Sequence, residues 1–233
     1  MQTRSVQRFA LYYAPQPETV LAEAAAAWLG RDQANLNRTR ITPIHLSLQR
    51  FCELTREPYH YGFHGTLKPP FRLVENRSEK QLVDELRLFC AQRKSFMLPE
   101  LAVDLIGDFL CLRPTKPSMA LNGLARDTVQ QFDHFRKEMP PAERGKRRSK
   151  GLTPQQDELL LQYGYPYVLD QFRFHITLTS TVENQEDRRL IEEEARHHFS
   201  PQLLREIQIA GIALFTECDG QAMTQREFFP FGS

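Results

Sequence analysis

One short string occurs twice in this chain, as Phe63-His64-Gly65-Thr66-Leu67 and as Phe174-His175-Ile176-Thr177-Leu178. Both copies read F-H-x-T-L, and both fall late in a segment that reads as a strand. A helix of similar length follows each copy, and a hairpin with a Gly/Asp turn follows each helix. The turn begins 43 residues after His64, at Gly107, and 44 residues after His175, at Asp219. String, element order and spacing repeat together, which is the mark of an internal duplication. The duplication implies an α+β fold of two pseudo-symmetric antiparallel β-lobes, with outer helices around a central cleft. Residues 1–233 then form a single domain. Lobe one comes mainly from 59–113 and lobe two mainly from 165–229. The N-terminal strand 6–13 and the central helices complete them.

The remaining elements follow from pattern and punctuation. Residues 6–13 are rich in β-branched and aromatic types and stop at Pro15 and Pro17. Residues 18–29 are Ala-rich and helical, with Gly30 as C-cap. A helix is expected over 44–54 and a strand over 59–67, ended by Pro69-Pro70. Residues 78–93 read as a helix capped by Ser78, with Leu82, Leu86 and Phe89 on one face. A hairpin is expected over 101–113 and a helix over 119–139. Residues 140–150 read as a loop, with five cations between Arg144 and Lys150. A helix starts after Thr153 with Pro154 at its first position. A strand covers 171–180, a helix 184–199 and a second hairpin 207–229.

The formal net charge of +1, from 30 Lys and Arg against 29 Asp and Glu, gives no global field to attract nucleic acid or membrane. Any anion preference must then be local. No apolar run approaches the roughly 18 residues of a spanning helix, and the first residues lack the apolar stretch of a signal peptide. Cys52, Cys90, Cys111 and Cys218 lie far apart without a CxxC pair, which reads as reduced thiols in a cytoplasmic protein.

Alternate side chains of a strand share a face. In the second copy Phe172, Phe174, Ile176 and Leu178 face one way, and Arg173, His175, Thr177 and Thr179 the other. In the first copy Phe63 and Leu67 oppose His64, Thr66 and Lys68. Tyr61 falls on the apolar side by the same parity, unless Gly62 admits a bulge and brings it to the cleft. Two polar faces meeting across a cleft would gather two imidazoles, two hydroxyls, Lys68 and Arg173. On the first strand Arg8 and Tyr12 share a face and are candidates to line the same cleft. Histidine titrates near neutral pH. One imidazole can take a proton from an attacking water while the other gives one to a leaving alkoxide. The Thr66 and Thr177 hydroxyls can donate to the non-bridging oxygens of a phosphate. Such a site needs no metal and no cofactor. His60 lies near His64 in sequence, but no neighbouring carboxylate or Cys completes a metal set.

The paired His64-Gly-Thr66-Leu and His175-Ile-Thr177-Leu motifs resemble those of the 2H phosphoesterase superfamily, defined by two H-x-T/S motifs. The longer strings Tyr61-Gly-Phe-His64-Gly-Thr66-Leu-Lys68-Pro-Pro-Phe71 and Phe172-Arg173-Phe-His175-Ile-Thr177-Leu-Thr resemble a bacterial branch encoded beside phosphonate-degradation genes. The resemblance implies a LigT-like fold and a cyclic phosphodiesterase, a hydrolase acting on a small phosphorylated substrate. A ribose cyclic phosphate from phosphonate breakdown is the candidate. His64, Thr66, His175 and Thr177 are then catalytic, and Lys68, Arg173, Tyr12, Arg8 and Tyr61 bind substrate. Two rivals share the motif. One is an RNA 2′,3′-cyclic phosphodiesterase or RNA-end ligase, which the neutral charge disfavours for long RNA. The other is a non-catalytic module that binds a phosphorylated metabolite. A monomer without membrane contact is expected. The near-symmetry of the motifs leaves open which imidazole is base and which is acid. The cationic run 144–150 reads either as a solvated loop or as a flap over a polyanionic substrate.

Overall fold

The structure is a computed structural model that describes residues 7–149, 151–203 and 205–232. In chain order the elements are β1 (Gln7–Tyr13), α1 (Val20–Leu29), α2 (Leu48–Leu54), α3 (Arg56–Tyr61), β2 (Gly65–Phe71), α4 (Glu79–Ala91), β3 (Phe96–Leu98), β4 (Leu101–Ile106), β5 (Phe109–Pro114) and α5 (Met119–Gln131). They continue with α6 (Pro141–Arg148), α7 (Pro154–Tyr163), β6 (Ile176–Thr177), α8 (Gln185–Leu203), β7 (Ile207–Ile209), β8 (Gly211–Cys218) and β9 (Thr224–Pro230). Among the described residues no helix is long and apolar enough to cross a membrane.

Several ends are set by the residues the sequence offers. Gly30 stops α1 in the left-handed region at φ 72°, its N–H returning to the Ala26 carbonyl. Ser78 and Gln81 close a capping box on α4, and Thr153 and Gln156 close another on α7. Both hairpin turns sit at positive φ, at Gly107 and at Asp219-Gly220.

Seven strands form one antiparallel sheet in the order β4-β5-β6-β2-β1-β8-β9. The two motif strands are neighbours at its centre, with Gly65 opposite Ile176. Outward from β2 lie β1, β8 and β9, and outward from β6 lie β5 and β4. Each hairpin therefore crosses to the other repeat. The hairpin after the first motif pairs with β6, and the hairpin after the second pairs with β1. The short strands before the two hairpins, β3 and β7, pair with each other and tie the crossovers together. The halves of the sheet thus differ in chain make-up from lobes of 59–113 and 165–229. Strand order is a long-range property that a repeat alone does not specify.

One face of the sheet carries Phe9, Leu11, Leu67, Leu112, Ile176, Leu178 and Leu214, all buried in one core with Trp28, Leu82, Leu86, Leu124 and Phe199 from the helices. Trp28 keeps its indole N–H satisfied at the Leu178 carbonyl, 2.9 Å away. The other face carries a smaller cluster of Ala10, Tyr12, Ala213, Phe215 and Met223. The His64 ring lies against this second cluster, beside Tyr12 and Phe215.

The structure departs from the sequence expectations at several places, and the helix expected over 119–139 ends at Gln131. Residues 59–61, expected in a strand, are the last turn of α3. Strand β2 continues through Pro69-Pro70, where neither residue has an N–H to give. It does so because β6 is only two residues long and meets β2 only at Gly65. The expected strand 171–180 forms ladder pairs only at Ile176 and Thr177. The cationic run is helix α6 rather than a loop, opened by Pro141 at its first position. Lys150 lies outside the described residues.

Candidate active site

The chain enters the first motif through Gly62, whose φ of 79° ends α3 and turns the backbone into β2. That turn aims the Gly62 carbonyl at the ring two residues on. His64 Nδ1 lies 2.8 Å from it. In the second motif His175 Nδ1 lies 2.8 Å from the Arg173 carbonyl. A carbonyl only accepts, so each Nδ1 carries the proton and each neutral ring keeps its lone pair on Nε2. The same residue offset fixes the same tautomer at both histidines.

The antiparallel register that sets Gly65 against Ile176 also sets Thr177 beside His64 and Thr66 beside His175. Each histidine's strand position therefore faces the threonine position of the other repeat. Both threonines are half-buried, and neither hydroxyl bonds to another of the described residues.

Each ring is also backed by an aromatic from the adjacent outer strand. Tyr12 of β1 stacks on His64 with centroids 3.7 Å apart and planes 19° apart. Phe109 of β5 lies 5.6 Å from His175. Tyr12 is fully buried, and its hydroxyl points to Met223 Sδ at 3.5 Å. It holds His64 rather than presenting a free hydroxyl to a ligand.

Burial lowers the pKa of His64 to about 4, with a smaller push from His175 and Arg31. Burial also lowers that of His175, with Arg113 adding to the effect. Both rings are neutral in the free protein at neutral pH, and an anion seated between them would favour their protonated forms.

The sequence reasoning missed Arg31. The residue is 1% exposed, and its guanidinium donates to the carbonyls of Asp32, Tyr59, His60 and Met223. Among the described residues it has no carboxylate partner. It fastens the end of α3 to the β8–β9 turn and lends positive potential to His64. Nothing in its local sequence marks it, because its role arises from burial.

Lys68 is not in the cleft. Two irregularities in the β1–β2 register, between Tyr12 and Leu11 and between Leu11 and Phe9, break the parity after Thr66. Lys68 is 1% exposed, and its side chain reaches Asp133 at 3.3 Å and the Val129 carbonyl at 3.2 Å, on the helix side. Tyr61 is on α3, where strand parity does not apply, and it packs against the cleft-face cluster beside Tyr12. Arg8 lies on the cleft face, but the buried Glu217 neutralises it, and His60 Nε2 stands 3.7 Å from the same carboxylate. The Arg173 side chain is exposed and forms no ion pair among the described residues. Its carbonyl is the part that serves His175.

Gly65, at the variable position of the first motif, has a steric reason. A Cβ there would clash with the edge of the ring of Phe174, the residue before His175. Cys111 lies opposite Thr177, fully buried, with its thiol pushed up to about 12 by burial. It is inert as a nucleophile.

A family model described as "Protein of unknown function (DUF1045)" matches residues 66–224. A protein of Janthinobacterium sp. (strain Marseille) named "Ribose 1,5-bisphosphate phosphokinase PhnN" is 39% identical over 188 residues, 78% of this chain and 40% of that protein. A protein of the same name from Laribacter hongkongensis (strain HLHK9) is 32% identical over 215 residues, 92% of this chain and 49% of that protein. The chain thus spans half or less of the length of these curated relatives. Among solved structures, E. coli LigT complexed with ATP aligns over 99% of this chain and 100% of that chain, with 12% identity and a TM-score of 0.46. Kluyveromyces marxianus Usb1 aligns over 96% and 98%, with 11% identity and a TM-score of 0.40.

Proposed function

The chain belongs to the DUF1045 family, and we propose that its cleft hydrolyses a small cyclic phosphodiester on ribose by a two-histidine acid–base reaction without a metal. One observation carries this reading. Two imidazoles on the adjacent central strands each have Nδ1 tied to the carbonyl two residues back, which leaves Nε2 free, and the register places a threonine opposite each. That arrangement matches the needs of in-line displacement at phosphorus. The hydroxyls donate to non-bridging oxygens, one Nε2 takes the water proton, and the other protonates the leaving oxygen.

The name of the curated relatives supplies a substrate. Their name specifies a kinase for ribose 1,5-bisphosphate. Opening the 1,2-cyclic phosphate of a ribose that also carries a 5-phosphate would yield that compound. The water oxygen bonds to phosphorus, the P–O2 bond breaks, and O2 takes the proton from the acid. The phosphate stays on O1. This reaction would place the chain one step before the kinase.

The two environments support a division of roles. His64 is the more strongly depressed imidazole and acts as base, and His175 acts as acid. A base works above its pKa and an acid below its own. In the free enzyme kcat/KM should therefore rise as His64 loses its proton near about pH 4 and fall as His175 loses its proton below 6.5. The expected profile is a bell with its maximum on the acid side of neutrality. A maximum above pH 7 would contradict these roles. The same assay, run on ribose 1,2-cyclic, nucleoside 2′,3′-cyclic and RNA-terminal cyclic phosphates after EDTA treatment, tests the substrate class. Turnover confined to RNA ends would favour the RNA enzyme, and ligand-induced stabilisation without turnover would favour a binding module.

A further inference from the structure

The cationic run of α6 has a use that the two motifs do not explain. Its members differ sharply in what they touch. Arg148 is locked in a two-pronged pair with Asp157, at 2.6 and 2.8 Å. Arg144 points to Glu138 at 3.8 Å. Lys146 is exposed. Arg147 instead lies over the ring of Tyr165, its Cζ 5.2 Å from the centroid. Its carboxylate contact is long, 3.7 Å to one oxygen of Glu143, whose other oxygen is taken by Arg72 at 3.2 Å. The Nε of Arg147 is buried and has no hydrogen-bond partner. A charged donor left in that state is costly unless an acceptor arrives.

Tyr165 packs beside Val129, Leu159 and Val168, on the segment that leads into the second motif. It lies within electrostatic reach of Tyr61 and Tyr12, and Tyr12 is the ring stacked on His64. Of the other cations around the histidines, Arg173 is exposed and unpaired among the described residues, and the rest are already satisfied. Arg8 has Glu217, Arg113 has Asp104 at 2.6 Å, and Arg31 has its four carbonyls. An aromatic platform holds a guanidinium flat and leaves its edge for a bidentate oxyanion. On the substrate reading above, we propose that Arg147, seated on Tyr165, binds a second phosphate of the substrate, the 5-phosphate monoester dianion of the ribose cyclic phosphate.

The test compares ribose 1,2-cyclic phosphate with and without a 5-phosphate, in the wild type and in Arg147→Ala. The wild type should prefer the phosphorylated compound in kcat/KM, and Arg147→Ala should cut that preference by about 10- to 100-fold, the range for one charge-assisted contact. Retention of the preference in Arg147→Ala, or no preference in the wild type, would overturn the proposal while leaving the cyclic phosphodiesterase reading intact. A binding arm covers failure of that reading. Calorimetry with ribose 5-phosphate and ribose measures the subsite without chemistry. If neither cyclic compound is opened but Arg147→Ala still weakens ribose 5-phosphate tenfold or more relative to ribose, the subsite stands and the reaction does not. Equal binding of the two by the wild type would remove the subsite. Thermal melting of Arg147→Ala, a change on an exposed helix, checks that the fold is kept.

Discussion

Replacing either His64 or His175 by alanine is expected to lower kcat by at least about 10²-fold and by as much as about 10⁴-fold, the usual worth of one general acid or base. The two histidines act on one phosphorus, so losing the base leaves the acid with little to assist. The double variant should therefore fall little further than the worse single one. Both rings stand at the edge of the central ladder rather than inside the main core, so the variants should fold. KM should move far less than kcat, because the threonine hydroxyls remain to hold the anion. Steady-state kinetics on the four proteins, with melting curves alongside, measures this. A kcat within threefold of wild type in either single variant would remove the acid–base roles.

The second large effect is expected at Gly65, a residue without a side chain. The Phe174 ring occupies the space where a Cβ would go. Gly65→Ala must push that ring, and the next residue along is His175. Overpacking of this kind costs about 1–3 kcal/mol of stability. A misplacement of the order of 1 Å at a reacting group can cost about 10²-fold in rate. Loss of kcat should therefore exceed what the fall in stability explains. Phe174→Leu, which withdraws the ring, should rescue Gly65→Ala in the double variant. If the double variant is as impaired as Gly65→Ala alone, the Gly65–Phe174 contact does not set the position of His175.

Much of this was legible in the chain itself, for identifiable reasons. Caps and turns are local chemistry, and Gly30, Ser78, Thr153, Gly107 and Asp219-Gly220 act where the sequence places them. The two motifs were legible because a repeat checks itself. The Nδ1 contacts, two residues back in both copies, are the structural form of that repeat. What failed were inferences that cross from one element to another. Parity placed Lys68 in the cleft, but parity holds only while the ladder is regular, and the β1–β2 register shifts twice beyond Thr66. Tyr61 missed its face because α3 runs on to it before Gly62 turns the chain. The exchange of hairpins between repeats depends on strand pairing far apart in sequence. Arg31 and Arg147 gain meaning only from what surrounds them, the first from four carbonyls and the second from Tyr165.

The central claim is that two imidazoles held alike, His64 neutral as base and His175 protonated as acid, open a cyclic phosphate on ribose. Phosphorus NMR of ribose 5-phosphate 1,2-cyclic phosphate with EDTA-treated protein tests it most directly. The predicted result is conversion of the cyclic diester resonance to a monoester, with the 1-phosphate retained, and a rate at least about 100-fold lower in His64→Ala and in His175→Ala. Ring opening at the full rate in either variant, or only after a metal ion is added back, would contradict it.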